Sequence, residues 1–143
     1  MAVKYPLALA SVFIWIGFVG AISFMEAWLK FQAPGIDLTL GLGIGRLVFN
    51  ALNKVELVLA ILIVVNLFKY KSELNIARNW FFFIPLIILL AQTFWTLPAL
   101  DARAQMYIDG LEVPESSLHF YYVAMEGIKV ICLFIFGIKL IKQ

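Results

Sequence analysis

The sequence predicts an all-α integral membrane protein. It reads as a single domain over residues 1–143, a bundle of four transmembrane helices running up-down-up-down, with both termini cytoplasmic. Three observations predict this. The 143 residues are 64% hydrophobic and 14% charged, against about 45–50% apolar and about 25% charged in an ordinary globular chain. A water-soluble domain this small has too little interior to hide so much apolar surface. Four segments also meet the roughly 20 apolar residues needed to cross a bilayer core of about 30 Å. Finally, the connections between them are short, which makes consecutive helices antiparallel neighbours.

The first span covers about residues 6–29. Its apolar run is too long for the core of a typical signal peptide, so it reads as a retained helix. The second covers about 42–68. Its stretch Leu-Val-Leu-Ala-Ile-Leu-Ile-Val-Val from Leu57 to Val65 lacks the period-two alternation of a β-barrel strand. The third covers about 80–100, with Pro85 inside it and Pro98 expected to end it. The fourth covers about 118–141. Ala33-Pro34-Gly35 signals a turn between the first two spans. The stretch 69–79 is polar, and 101–117 is acidic and contains Asp109-Gly110. That last loop is long enough to serve as a lid, with Tyr107, Asp109, Glu112 and Glu115 able to attract cations.

Orientation follows from Lys and Arg bias. Lys4, Lys69, Lys71, Arg78, Lys139 and Lys142 fall on one side and only Lys30 and Arg103 on the other. Six against two places both termini in the cytoplasm, in a bacterial inner membrane. Trp28 and Trp95 then mark the outer interface, and Trp80 and Tyr70 the inner one.

Composition also excludes functions. The net charge is +2, with no basic cluster, so nucleic acid is not an expected partner. The single cysteine, Cys132, and single histidine, His119, exclude a cysteine-pair oxidoreductase and a haem held by two histidines of one chain. Zinc or copper would need more such ligands, and the Glu-x-x-His pairs of di-iron bundles are missing. The expectation is no metal, and no cofactor is implied. Gly17, Gly20, Gly41, Gly43, Gly45, Gly127 and Gly137 read as close-packing positions between helices.

The informative residues are ionisable ones inside the spans, where they are costly and mark sites or structural pairs. His119, Tyr122, Glu126 and Lys129 are spaced 3, 4 and 3, one face of a helix. Arg46, Asn50, Asn53 and Glu56 are spaced 4, 3 and 3, again one face. Ser23, Glu26 and Lys30 form a third stripe, and Gln92 with Thr96 a weaker fourth. Asp101 and Arg103 are expected to cap the third span. In lipid such stripes must face other helices or a cavity. The expected site is one polar chamber opening outward, with Glu26, Arg46, Asn53, Glu56, Asp101, Arg103, His119, Tyr122, Glu126 and Lys129 as ligand-binding residues. No catalytic residue is expected.

Phe24-Met-Glu-Ala-Trp-Leu-Lys-Phe-Gln-Ala-Pro-Gly35, followed by Gly45-Arg-Leu-Val-Phe-Asn-Ala-Leu-Asn-Lys-Val-Glu56, resembles a family of small four-span bacterial membrane proteins of unknown function. The chain is also similar to the domain-of-unknown-function family that includes transmembrane proteins linked to cisplatin resistance. In those, a span ends before a proline-bearing segment and a glycine and a phenylalanine open the next; Pro34, Gly41 and Phe49 match. Leu97-Pro-Ala-Leu-Asp-Ala-Arg103 and His119-x-x-Tyr-x-x-x-Glu126 fit the charged segment and the histidine before the last span. The resemblance implies the four-span topology and carries no catalytic role.

Three function classes follow. The first is a membrane protein that binds or permeates a small solute or ion through the polar chamber. The second is a structural or accessory subunit, homodimeric or docked to a partner, whose charges only hold the bundle. The third is an enzyme acting on a lipid headgroup or quinone.

Overall fold

The computed structural model describes residues 2–70 and 79–142. Among these there are four long helices and no strand: α1, Pro6–Gln32; α2, Leu38–Phe68; α3, Trp80–Ile108; and α4, Leu118–Ile141. α1, α2 and α3 are long and apolar enough to cross a membrane. α4 carries Glu126, Lys129 and Lys139. Residues 71–78 of the second connection, with Lys71 and Arg78 of the charge-bias argument, lie outside the described residues.

Contacts order the helices in a ring, α1–α2–α3–α4, closed by α4 on α1. Each neighbouring pair is antiparallel. Trp15 meets Glu56 and Ala8 meets Asn66 between α1 and α2. Asn53 meets Thr93 and Arg46 meets Asp101 between α2 and α3. Gln92 meets Glu126 and Phe82 meets Phe136 between α3 and α4. Ser23 meets Glu126 and Phe13 meets Phe134 between α4 and α1. The result is an up-down-up-down bundle. Its back end carries both chain ends; its front end carries the connections 33–37 and 109–117.

Local chemistry explains the front turns. Ile36 N–H bonds Ala33 C=O at 3.3 Å, and Gly35 between them has φ +82°. This is a type II turn, with proline at its second position and glycine where a side chain would be strained. Asp37 Oδ1 then accepts Leu40 N–H at 2.7 Å and caps α2, so α2 begins at Leu38 rather than near residue 42. α3 ends in a Schellman motif: Leu111 N–H bonds Met106 C=O at 2.9 Å and Gly110 N–H bonds Tyr107 C=O at 3.1 Å, with Gly110 at φ +72°.

Pro98 does not end the third helix. A π-helical turn, Gln92–Thr96, precedes it, with Leu97 N–H bonded back to Gln92 C=O. The ladder is already widened there, so a proline nitrogen without a hydrogen costs little and the helix runs on to Ile108. Asp101 and Arg103 therefore sit within a helix rather than at its cap, and the loop expected over 101–117 shrinks to 109–117. The expected lid loses half its length for the same reason. A second π-helical turn, Gly20–Glu26, interrupts α1 at a similar level.

The back half is a dry core. Val12, Leu59, Ile63, Phe82, Leu133 and Phe136 interlock there. Side chains on the outer faces are apolar too: Leu47 is 75% and Phe94 78% exposed, as expected for surfaces that meet lipid. Gly41 and Gly137 fulfil the close-packing expectation. A Cβ at Gly41 would clash with the Phe31 ring, and one at Gly137 would sit 3.0 Å from Phe13. Gly17, Gly20, Gly43 and Gly127 have open space instead, so they do not set an interhelical distance.

The N-terminus of α1 is capped by another helix. Pro6 at its first position has no N–H to satisfy. Ala8 N–H, in the first turn, donates to Asn66 Oδ1 of α2 at 3.0 Å. Asn66→Ala is expected to cost about 1 kcal/mol, the usual loss of an N-cap. It should also speed hydrogen exchange at Ala8; unchanged exchange there would rule out the capping role.

A buried charge network and a front cavity

Between the back core and the front end lies one connected set of buried polar side chains. Its centre is Lys129 of α4, with no exposed side-chain surface. An ammonium has three N–H donors, and each finds an acceptor here. Glu56 Oε2 of α2 lies at 2.5 Å, Glu126 Oε1 of α4 at 2.6 Å, and Gln92 Oε1 of α3 at 2.6 Å. The partners are held in turn. Gln92 Nε2 donates to Glu126 Oε1 at 2.7 Å, Ser23 Oγ to Glu126 Oε2 at 2.5 Å, and Trp15 Nε1 to Glu56 Oε2 at 2.6 Å. All four helices are thereby tied to a single nitrogen.

Helix geometry places these groups. Glu126 and Lys129 are three residues apart and share a face. Glu56 reaches across the bundle axis from α2. Gln92 opens the π-helical turn of α3, and Ser23 lies within that of α1. π-helical turns re-aim side chains that a regular helix would stack elsewhere. The remaining cost is desolvation: taking two carboxyls and an ammonium out of water is repaid only when the geometry is good and every donor is used.

Nearer the front lies a cavity of about 170 Å³. Phe31, Leu42, Phe49, Leu97, Leu100 and Ala104 supply its apolar walls, and Lys30, Arg46, Asp101, Asn50 and His119 its polar lining. Tyr122, 5% exposed, lines the cavity one helical turn from Glu126 and links the two levels. Its ring meets Phe49 edge-on at 5.6 Å.

The expected chamber is thus two separate places. Glu56, Glu126 and Lys129 form the buried network. Arg46, Asp101, His119 and Tyr122 line the cavity, where Arg46 grips Asp101 with two bonds of 2.7 and 2.8 Å and donates to Gln105 at 2.5 Å. Asn53 belongs to neither; it donates to Thr93 Oγ1 at 2.9 Å. Glu26 pairs with Lys30 at 3.5 Å beside the cavity. Arg103 turns away and donates to Pro114 C=O at 2.7 Å on the exposed surface.

Three partners escaped the sequence reading as site residues. Trp15 lies in an unbroken apolar run, and only its indole N–H marks it as needing a buried acceptor. Gln92 carried a signal, an amide within a span four residues from Thr96. Ser23 shared a stripe with Glu26 and Lys30, and the π-helical turn gave it to Glu126 instead.

No family model matches the chain, and neither a curated protein nor a solved structure matches it.

Proposed function

We propose that this chain crosses a bacterial inner membrane four times, with both termini in the cytoplasm, and binds a small solute in the front cavity from the outer side. The four-span reading is supported by three apolar helices and by a fourth that closes the same ring. Lys and Arg bias supports the orientation, since the front connections carry few of these residues. The observation that carries the binding reading is the cavity, with apolar walls and a few convergent polar groups, the usual character of a small-molecule site.

Permeation is the more demanding version of this reading. Below the cavity stand Glu56, Glu126 and Lys129 with every ammonium donor in use. An ion crossing the bundle would have to exchange with those partners.

A ligand that binds only the folded state raises the melting temperature. The test is thermal unfolding of purified protein against a panel of ions and small solutes, comparing wild type with Ala104→Leu, which fills the cavity, and Glu126→Gln. A solute that stabilises wild type and Glu126→Gln but not Ala104→Leu supports binding in the cavity. A solute lost in Glu126→Gln alone supports a route through the network. If no solute raises the melting temperature, the binding reading fails. The accessory reading would then stand in its place, favoured by the full pairing of Lys129.

A further inference from the structure

The walls, volume and charges of the front cavity narrow its occupant. The inference rests on the cavity being a binding site. We propose that the cavity takes an uncharged molecule with an apolar body about the size of one six-membered ring and a single oxygen acceptor, which Lys30 receives.

Size comes first. The cavity is about 170 Å³, close to the roughly 150 Å³ apolar cavity that holds a benzene molecule in an engineered protein. The walls are Phe31, Phe49 and aliphatic side chains, with bare backbone at Gly41 and Gly45. A flat or chair-shaped ring fits such walls; a bulky headgroup does not.

The unmet donors come next. Lys30 has 11% of its side chain exposed, yet its ammonium makes no hydrogen bond among the described residues. Its anionic partner, Glu26 Oε1, stands off at 3.5 Å. Its other neighbours are the rings of Phe31 and Phe49, with centroids at 5.4 and 6.0 Å. The nitrogen reaches over Gly45, 3.2 Å from where a Cβ would stand. Lys129 shows what a satisfied ammonium looks like in this protein, with three acceptors at 2.5–2.6 Å. An ammonium has three N–H donors and Glu26 Oε1 faces at most one of them, so an acceptor atom in the cavity is favoured. Arg46 is already engaged, with three of its five N–H donors on Asp101 and Gln105.

Charge decides the rest. Lys30 stands with Glu26 and Arg46 with Asp101, so the ionic groups around the cavity balance. An anion would add a charge that neither of these pairs compensates, and a carbonyl or ether oxygen would not.

The probes are cyclohexanone, methylcyclohexane of similar shape without the oxygen, and benzoate. Each is titrated into wild type, Lys30→Met and Ala104→Leu in the same detergent, so that partition into micelles cancels between variants. Binding is read by thermal shift, and the ketone also by its infrared carbonyl band. Cyclohexanone is expected to bind wild type about tenfold more tightly than methylcyclohexane, as a charge-assisted hydrogen bond provides. Its carbonyl band should move to lower frequency. Lys30→Met should erase both differences while methylcyclohexane binding persists, and Ala104→Leu should abolish all binding. Equal binding of ketone and hydrocarbon to wild type, or a preference that survives Lys30→Met, overturns the inference and leaves the cavity a binding site. Tighter binding of benzoate than of cyclohexanone overturns the uncharged class. If no probe binds wild type, the inference falls, and the wider solute panel decides the binding reading separately.

Discussion

Lys129→Met is expected to destabilise the bundle by about 3–5 kcal/mol, the cost of breaking a buried pair and leaving charge uncompensated. The substitution keeps an unbranched four-atom stem and removes the three bonds that reach Glu56, Glu126 and Gln92. Two carboxyls then face each other across the dry centre. The effect belongs to the unpaired charge and not to the lost contact. Neutralising all three groups together, by Glu56→Gln, Glu126→Gln and Lys129→Met, should therefore recover most of the loss. Replacing a whole buried ionic cluster by neutral groups is often neutral or stabilising. Denaturant titration in mixed micelles measures both proteins. A Lys129→Met midpoint equal to that of wild type would remove the network from any account of stability. A triple variant no better than the single one would show that the bonds, rather than charge balance, hold the helices.

Trp15→Ala is expected to cost a comparable amount, about 3–5 kcal/mol for truncating a fully buried aromatic residue. Trp15 has no exposed surface and packs into the back core beneath the network, while its indole N–H holds Glu56 at 2.6 Å. Two losses are combined here and Trp15→Phe separates them. It keeps most of the ring volume and removes only the donor, worth about 1.5–3 kcal/mol for a bond to a charged acceptor. Phe matching wild type while Ala unfolds would assign Trp15 to packing alone. Because Trp15 and Lys129 share Glu56, combining Trp15→Phe with Lys129→Met should depart from additivity.

The legible part of this protein was its periodicity. Stripes spaced three and four residues apart placed Glu56, Glu126 and Lys129 on inward faces, and the structure buries all three. Ala33-Pro34-Gly35 and Asp109-Gly110 announced turns that the backbone makes with positive φ at Gly35 and Gly110. Pro98 misled, because a proline reads as a helix end unless the preceding turn is widened. The widened turn opens at Gln92, whose side chain bonds Glu126 and Lys129, 34 and 37 positions away in the chain.

By itself the sequence determined an all-helical chain of long apolar segments, and which of their residues could not face lipid. Both follow from local rules: the apolar length needed to cross a bilayer and the 3.6-residue turn. Tertiary structure alone decided who pairs with whom. The two long stripes were each divided: Glu56, Glu126 and Lys129 went to a closed network, while Arg46, His119 and Tyr122 went to the lining of a cavity with Lys30. Stripes record only the direction in which a side chain leaves its helix. Which acceptor a buried donor reaches depends on the depth and rotation of neighbouring helices, here shifted by π-helical turns in α1 and α3.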